Sequence, residues 1–458
     1  MSAGTEREVD LVVIGTGPGG ENLANQAASA GLDVLAVEKH LVGGECPYYG
    51  CIPSKMMVRA ADSLGEAHRA GELAGSVTVE PSWAPVAARI RDQATDDWDD
   101  TVAVDRLVKA GATVVRGVAR LDGPGRVVVE PTDGSKAYTV RARRGVVLNP
   151  GTRPAAPPIQ GLADTPYWTN RDAVKATAVP AELVVIGGGP IGCEMAQVFA
   201  RFGSRVSVVE GGPRILAGDE PEASALLSDV FTREGIRLVT SARVTRVEYV
   251  DGRFTVHLAD GQTLAADRVL VAAGRASNLD GVGLDTVGLS VDGIEVDEHM
   301  RAADGLWVIG DVAGHGAFTH VSMYQSGIAL DDILGRGGAG ADYRALPHTT
   351  FADPEVAGVG LSEAAARDAG LDVRVGTTDL AASSRGFTHG PGADGLIKVV
   401  AADGVLVGAT VVGPAGGEIL SMLTLAVHAK VPVATLTSMI YAYPTFHRAI
   451  ESALADLS

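Results

Sequence analysis

Cysteine is scarce in this chain: Cys46, Cys51 and Cys193 are the only three in 458 residues. A disulfide-stapled secreted scaffold is therefore excluded, and so few thiols fit a reducing cytoplasm. Long apolar stretches are missing as well. No run of about 18 apolar residues could span a bilayer, so no membrane partner is expected. A basic surplus is equally absent: the formal net charge is −18, which disfavours nonspecific nucleic-acid binding. The opening MSAGTEREVDLVVIG lacks a basic segment followed by a long apolar one, so no secretory leader is expected. His315, His320 and His348 have no metal-ligand spacing to another His or Cys, and no metal site is expected.

Glycine, by contrast, is abundant at 58 residues, with 22 prolines and 46% hydrophobic residues. That balance suits large cores joined by many tight turns, and the length suggests about three domains. The glycines fall into two patterned loops. An apolar run, VDLVVIG, leads into Gly15, Gly17 and Gly20, with Pro18 and Gly19 between them, then a helical stretch, a second apolar strand and the acid Glu38. Further on, LVVIG leads into Gly187, Gly189 and Gly192, with Pro190 and Ile191 between, and a strand ending at Glu210. From first glycine to acid the spacing is 23 residues in both cases, 15 to 38 and 187 to 210. Glycines here allow a tight strand-to-helix turn and close approach of a pyrophosphate to a helix N-terminus. The acid accepts hydrogen bonds from a ribose hydroxyl. One such loop is weak evidence; two in the same phase point to two dinucleotides. Glycine turns in two ordinary strand–helix–strand units are the plain alternative.

Between the loops lies GGECPYYGCIPSK, residues 43–55. On an ideal helix, Cα atoms five residues apart lie roughly 8–9 Å from each other, beyond the ~7 Å limit of an unstrained disulfide. Pro47 and Gly50 break regular helix and let the stretch bend. Pro53 is placed like a first-turn helix proline. A thiolate just before that helix would be stabilised by its unpaired N–H groups and its dipole. A redox-active dithiol is one reading, and two neighbouring buried cysteines the other. Cys193, in the helix after the second loop, reads as a small buried apolar residue. With two dinucleotides, a dithiol completes an electron circuit: nicotinamide gives a hydride, a flavin splits it, and a disulfide takes the pair.

The chain resembles the flavoprotein disulfide reductases of the dihydrolipoamide dehydrogenase, glutathione reductase and mercuric reductase type over nearly its full length. Gly15 to Gly20 resembles the FAD pyrophosphate loop, with Glu38 and the adjacent Lys39 at the adenosine. Gly44 opens the redox segment. The resemblance implies Cys46 as interchange thiol, Cys51 as the thiol touching flavin, and Lys55 near the flavin, paired with Glu194. LWVIGD resembles the second FAD motif, with Gly310 and Asp311 at the ribitol, and Ala272 to Arg275, including Gly274, resembles the crossing back between nucleotide domains. Gly151 keeps the glycine of a segment that closes the FAD domain. His315, His320 and His348 then read as structural or flavin-adjacent. FAD and NAD are the implied cofactors, with NADH preferred over NADPH because Glu210 repels a 2′-phosphate; Arg205 and Arg214 flank it and could soften that rejection.

Three departures stand out. Asn149-Pro150-Gly151 replaces Ala-Thr-Gly. Glu45 and Pro47-Tyr48-Tyr49 add charge and bulk beside Cys46. In the C-terminal signature, Tyr443 stands where the family has a His, and Arg448 where it has a Glu. Tyrosine is a poor base at neutral pH but can donate a proton. Tyr443, with His447 nearby, is either a proton donor to an unusual substrate, bystander to an acceptor needing no acid/base partner, or a packed aromatic at a dimer interface. The expected enzyme passes electrons from NADH through FAD and Cys46–Cys51 to a small-molecule acceptor. The alternatives are a diaphorase-like quinone or metal-ion reductase, whose flavin reduces its acceptor directly, and a non-enzymatic redox sensor.

The expected fold is α/β: two Rossmann-like dinucleotide-binding domains, for FAD and NAD, plus a C-terminal α+β dimerisation domain. Its segments are 1–150 (first FAD part), 151–274 (NAD), 275–345 (second FAD part) and 346–458 (interface). A homodimer is implied by the resemblance. VTVE, TVVRG and RVVVEP read as strands of an antiparallel insertion, the DDWDD cluster around Trp98 as a solvated face, and 153–161 as a linker. Asp403-Gly404 reads as a hairpin turn, and an apolar helix is expected over about 419–430.

Overall fold

Residues 7–457 are described by a computed structural model of the chain; the outermost residues of the first and last expected segments, 1–6 and 458, lie outside them. The chain divides into two compact units. One holds the described residues up to Pro53, with Arg89–Pro154 and Arg275–Asp342. The other holds Ser54–Ala88, Ala155–Gly274 and the described residues from Tyr343 onward.

In the first unit the run VDLVVI becomes the strand Arg7–Ile14, buried on both faces over its last four residues. Such a continuous apolar run belongs inside a parallel sheet rather than at a solvated face. It pairs in parallel with Val34–Glu38, where Ile14 lies beside Val37, and with Tyr138–Leu148, where Ile14 lies beside Leu148. Thr113–Leu121 pairs in parallel with Val34–Glu38 as far as Arg116, then antiparallel with Arg126–Pro131. Arg126–Pro131 in turn pairs antiparallel with the start of Tyr138–Leu148. Two long strands thus serve both the nucleotide sheet and an antiparallel insertion. Leu306–Val308 adds in parallel beside Val146–Leu148. The C-terminal ends of Arg7–Ile14, Tyr138–Leu148 and Leu306–Val308 therefore meet at one edge, where Gly15, Asn149 and Gly310 follow them.

The second unit repeats the plan on a smaller scale. Glu182–Ile186 sits between Arg268–Val271 and Arg205–Val209, with Arg237–Val239 outermost, all parallel. Beyond them Val244–Val250, Arg253–Leu258 and Thr263–Ala266 form an antiparallel meander. The C-terminal part is a five-stranded antiparallel sheet, packed under helices that include Gly416–His428. Its central hairpin joins Leu396–Ala402 to Val405–Gly413. Asp403 and Gly404 turn it with φ of 51° and 78°, the paired left-handed conformation a two-residue hairpin demands. The α/β class with two Rossmann-like sheets and a C-terminal α+β part is the architecture observed.

Some local expectations change. Residues 77–80, VTVE, form no strand; they alternate correctly but find no partner to hydrogen-bond. The DDWDD cluster is not wholly solvated. Asp100 is buried, accepting from the Val42 amide at 2.6 Å and from Arg116 at 2.6 Å, while the Trp98 indole donates to the Tyr48 carbonyl at 3.1 Å. The linker begins as structure, since Thr152–Pro154 pairs antiparallel with Arg275–Ser277. Residues 54–88 fall within the expected first FAD segment, yet they cluster with the second unit, where Lys55, Asp62 and Arg69 find their ionic partners. Among the described residues, no helix is long and apolar enough to cross a membrane, and no group of three or more His, Cys, Asp or Glu is placed to hold a metal.

Candidate functional site

Each glycine loop is shaped from below by backbone and from the side by its acid. Gly15 adopts φ +87°, and a Cβ there would lie 2.3 Å from the Asn149 carbonyl oxygen. At Gly20 a Cβ would lie 2.2 Å from the Gly15 oxygen, so only glycine lets the helix Pro18–Ser29 start against the strand. Gly17 and Pro18 open that helix without a side-chain cap. Gly19 passes so close to Ser322 that a Cβ would meet its hydroxyl at 2.2 Å. Glu38 ties the loop down: Oε2 accepts from the Thr16 amide and hydroxyl at 2.7 and 2.9 Å, and Oε1 from the His40 amide at 2.8 Å. Lys39 follows on the exposed side.

The second loop has the same wiring. Gly187 has φ +111°, and a Cβ at Gly192 would lie 2.0 Å from its oxygen. Glu210 accepts from the Gly188 amide at 2.7 Å and the Gly212 amide at 2.6 Å. In both units the acid therefore holds the residue after the first glycine and the residue two beyond itself. Gly189 opens the helix Pro190–Arg201 uncapped, with open space at its Cβ position. Ile191 lies in that first turn. An uncapped, glycine-lined helix start with spare N–H groups fits a pyrophosphate, so both loops fit the dinucleotides FAD and NAD.

Around the first loop the other motifs converge. Asn149 is buried; its Oδ1 accepts from the Gly20 amide at 2.8 Å and its Nδ2 donates to the Ile309 carbonyl at 3.0 Å. Gly310 turns at φ +79°, its amide donating to Gln325 at 2.7 Å. Asp311 accepts from the Thr152 hydroxyl, which also receives Arg275 Nε at 2.6 Å. Arg275 stands 3.9 Å from Glu45 and 4.0 Å from Asp311, so the charge beside Cys46 faces a cation. Gly151, at φ +64°, accepts from the Asn278 amide at 3.0 Å. Within the second unit, the Gly274 carbonyl accepts from Ala155 at 3.0 Å.

The dithiol segment is pinned onto the first loop at Gly44, where a Cβ would lie 2.8 Å from the Gly17 Cα. A four-residue turn of helix, Glu45–Tyr48, carries Cys46. Tyr49 and Gly50 interrupt it, and Cys51 begins the helix Cys51–Leu73 with Pro53 in its first turn. Both cysteines are thiols. A hydrogen bond to Cys51, then burial, pushes the Cys46 thiol well above the usual range, while Thr319 opposes the shift. Thr319 Oγ1 lies 3.3 Å from Cys51 Sγ. The Cys46 thiol thus has Cys51 as its hydrogen-bond partner, and Cys51 stands at the start of a helix. Burial likewise raises the Cys193 thiol, which donates to the Gly188 carbonyl at 3.3 Å.

In the second unit, Lys55 Nζ donates to both Glu194 oxygens at 2.9 and 2.7 Å. Glu194 is buried and also accepts from the Phe351 amide at 2.9 Å, and the Phe351 ring centroid lies 4.6 Å from Lys55 Nζ. The pairing continues down the same two helices. Asp62 and Arg201 meet at 3.0 Å, and Arg69 and Arg201 both reach Asp353 at 2.7 Å. Tyr443 is 69% exposed; Arg448 lies 5.7 Å from its ring and pairs with Glu451 at 3.0 Å. His447 packs against Tyr441 at a centroid distance of 4.9 Å. Thr319 and Phe351 carried no motif, and Asn149 stood out only as a departure from the resembling pattern.

The chain is similar to known proteins. Residues 9–326 match the pyridine nucleotide-disulphide oxidoreductase family, and residues 346–454 match its dimerisation domain. A dihydrolipoyl dehydrogenase from Zymomonas mobilis is 34% identical over 97% of both chains. A mercuric reductase from Acidithiobacillus ferrooxidans is 32% identical over 96% of this chain and 81% of its own. The crystal structure of LpdA from Mycobacterium tuberculosis superposes with a TM-score of 0.86 at 25% identity, covering 98% of this chain and 99% of that one.

Proposed function

The chain belongs to the pyridine nucleotide-disulphide oxidoreductase family, and from that premise we propose that it takes electrons from NADH, in preference to NADPH, and delivers them through Cys51 and Cys46 to a small-molecule acceptor. FAD and the nicotinamide, when bound, supply hydride acceptance and two-electron transfer. The chain's own residues bind, orient and move protons. The first loop, with Glu38, Gly310, Asp311 and Gly151, holds FAD; the second, with Glu210 and Gly274, holds the nicotinamide nucleotide. Lys55 pairs with Glu194, which the Phe351 amide holds in turn, and would supply a cation to the flavin when it is bound.

The observation that carries this reading is the Cys46–Cys51 contact at the head of the helix Cys51–Leu73. Reducing a disulfide there consumes two electrons and two protons and gives the dithiol. Re-forming the S–S bond hands the same two electrons and two protons to the acceptor. The preference for NADH rests on Glu210, supported by the engagement of the cations that flank it. Arg214 donates to the Leu216 and Ala217 carbonyls at 2.9 Å each, and Arg205 to Glu182 at 2.5 Å. A homodimer acting in the cytoplasm is part of the same reading, supported by the dimerisation-domain match and the exposed side chains of Ile440 and Phe387.

A second reading is favoured by Tyr443 and Arg448, which stand in the positions of the His–Glu acid/base pair. An acceptor that needs no such pair, a quinone or a metal ion, could be reduced directly from the flavin. Anaerobic NADH added to oxidised enzyme separates the two. Alkylation and mass mapping should find Cys46 and Cys51 newly reactive, and Cys46→Ser should abolish turnover. If no thiols appear and Cys46→Ser keeps full turnover, the electrons leave by the flavin alone.

A further inference from the structure

The strand Arg205–Val209 runs through Glu210 into a loop, residues 211–220, that touches both halves of the second nucleotide site. Gly212 donates to Glu210 at 2.6 Å, and the Leu216 amide donates to the Gly188 carbonyl at 2.8 Å. Ile215 is fully buried, and a Cβ at Gly188 would lie 2.8 Å from its Cγ2. The Ile215 carbonyl accepts from Ser224 at 2.7 Å. Leu216 holds φ +47°, a conformation a branched side chain adopts only when its surroundings enforce it. Loop position and ribose acid are therefore one mechanical piece.

The far end of that loop is held by the C-terminal sheet. Asp219 lies 2.8 Å from His348 Nε2, on the strand Pro347–Thr350. Lys398, only 3% exposed on the strand Leu396–Ala402, reaches Glu220 at 3.0 Å, Glu222 at 2.8 Å and Glu363 at 2.9 Å. The Glu363 amide donates to the other oxygen of Glu220 at 2.7 Å. One buried ammonium thus gathers three carboxylates, and without it Glu220 would remain buried with the Glu363 amide but without that counter-charge.

Building on the assignment of the nicotinamide nucleotide to the second glycine loop, we propose that Lys398 and His348 are positioning residues for that nucleotide: from the C-terminal sheet they fix residues 211–220, and through them the Glu210 carboxylate and the Gly188 turn. Neither touches the nucleotide. Their effect is on its affinity, not on the redox steps.

The test uses the FAD-loaded enzyme and NAD+, which binds without reducing the flavin. Calorimetry on Lys398→Met should show NAD+ affinity weakened about threefold to thirtyfold, the range for residues coupled to a site they do not contact. The KM for NADH should rise in step while kcat per bound FAD stays nearly constant, and Lys398→Arg should recover most of the loss. If Lys398→Met does not fold, the paired change His348→Gln with Glu222→Gln, both at partly exposed positions, decides by the same criteria. Unchanged NAD+ affinity in the folded variants, or a fall in kcat at constant KM, overturns the proposal. Glu210→Gln separates the two levels. If it weakens NAD+ while the Lys398 and His348 variants do not, the positioning role fails and the site stands. If it leaves NAD+ affinity intact, the site assignment fails and takes this inference with it.

Discussion

Asn149 holds the start of the first glycine helix through its side chain: Oδ1 accepts the Gly20 amide at 2.8 Å, while Nδ2 donates to Ile309 at 3.0 Å and lies 3.4 Å from the Ser322 hydroxyl. One amide joins the loop after Arg7–Ile14, the end of Leu306–Val308 and the helix Thr319–Ile333. Asn149 and Ser322 also close in on Gly310, where a Cβ would approach Nδ2 to 2.5 Å and the Ser322 hydroxyl to 2.9 Å. Here a side chain, and not backbone alone, ties these three elements together.

Replacing Asn149 by Ala should therefore cost more than a surface change. It strips partners from a buried amide and a buried carbonyl, each worth about 1–3 kcal/mol when left unsatisfied. We expect Asn149→Ala to release FAD about tenfold more readily on dilution and to lower the thermal midpoint of the FAD-free protein. Unchanged FAD release, followed by its fluorescence, would show that the loop keeps its shape without this staple.

Thr319 opposes the upward shift of the Cys46 thiol and lies 3.3 Å from Cys51 Sγ, and a hydroxyl that donates to a thiolate favours that form. Thr319→Val removes that donor and keeps the volume. Alkylation of Cys46 in the reduced enzyme should then move to higher pH, and its rate at pH 8 should fall about threefold to tenfold, the worth of one hydrogen bond at ~0.5–1.5 kcal/mol. A superimposable pH–rate profile would remove Thr319 from the thiol chemistry.

How much of this could be seen in the chain alone depends on range. The two loops, their acids and the 43–55 segment are local patterns, and the hairpin at Asp403-Gly404 is set by two adjacent residues. Lys55 and Glu194 came from resemblance, because 139 residues separate them. The ionic ladder below them had no signal at all. Arg69 and Asp353 are 284 residues apart, and a charged residue in a helix looks the same whether its partner is water or a buried carboxylate. Residues 77–80 failed in the opposite direction: alternation is local, but a strand exists only where another lies beside it.

That ladder makes a pH prediction. Asp62 is raised to about 6, first by burial, then by repulsion from Asp353, with Arg201 opposing. The unfolded value lies near 4. A carboxyl raised in the folded state contributes stability that is present below the unfolded value and is lost as pH rises through about 6. Asp62→Asn should flatten the stability–pH curve between about pH 4 and 7 and, after discounting for solvent screening, stabilise the protein at pH 8 by about 1 kcal/mol. Arg201 keeps Glu234 and Asp353 as partners. Denaturant midpoints that run parallel to the parent across this range would show that Asp62 carries no strain.

Arg448 decides what a histidine at position 443 could do. Its guanidinium lies 5.7 Å from the Tyr443 ring and pairs with Glu451. An imidazole placed there would face a cation, which disfavours the imidazolium that thiol chemistry needs, and would lack a carboxylate to orient its ring. Tyr443→His alone should leave turnover with dihydrolipoamide within about threefold of the parent, since a misoriented base supplies little of the usual general-base effect. Tyr443→His with Arg448→Glu supplies both groups, at the cost of a mild repulsion from Glu451 worth a few tenths of a kcal/mol, about what exposed like charges cost on a helix. That pair should raise turnover about hundredfold, the lower end of what a positioned acid/base contributes. A gain of that size from the single change would mean the ring needs no orienting partner here, and the reading of Arg448 as the obstacle would have to be abandoned.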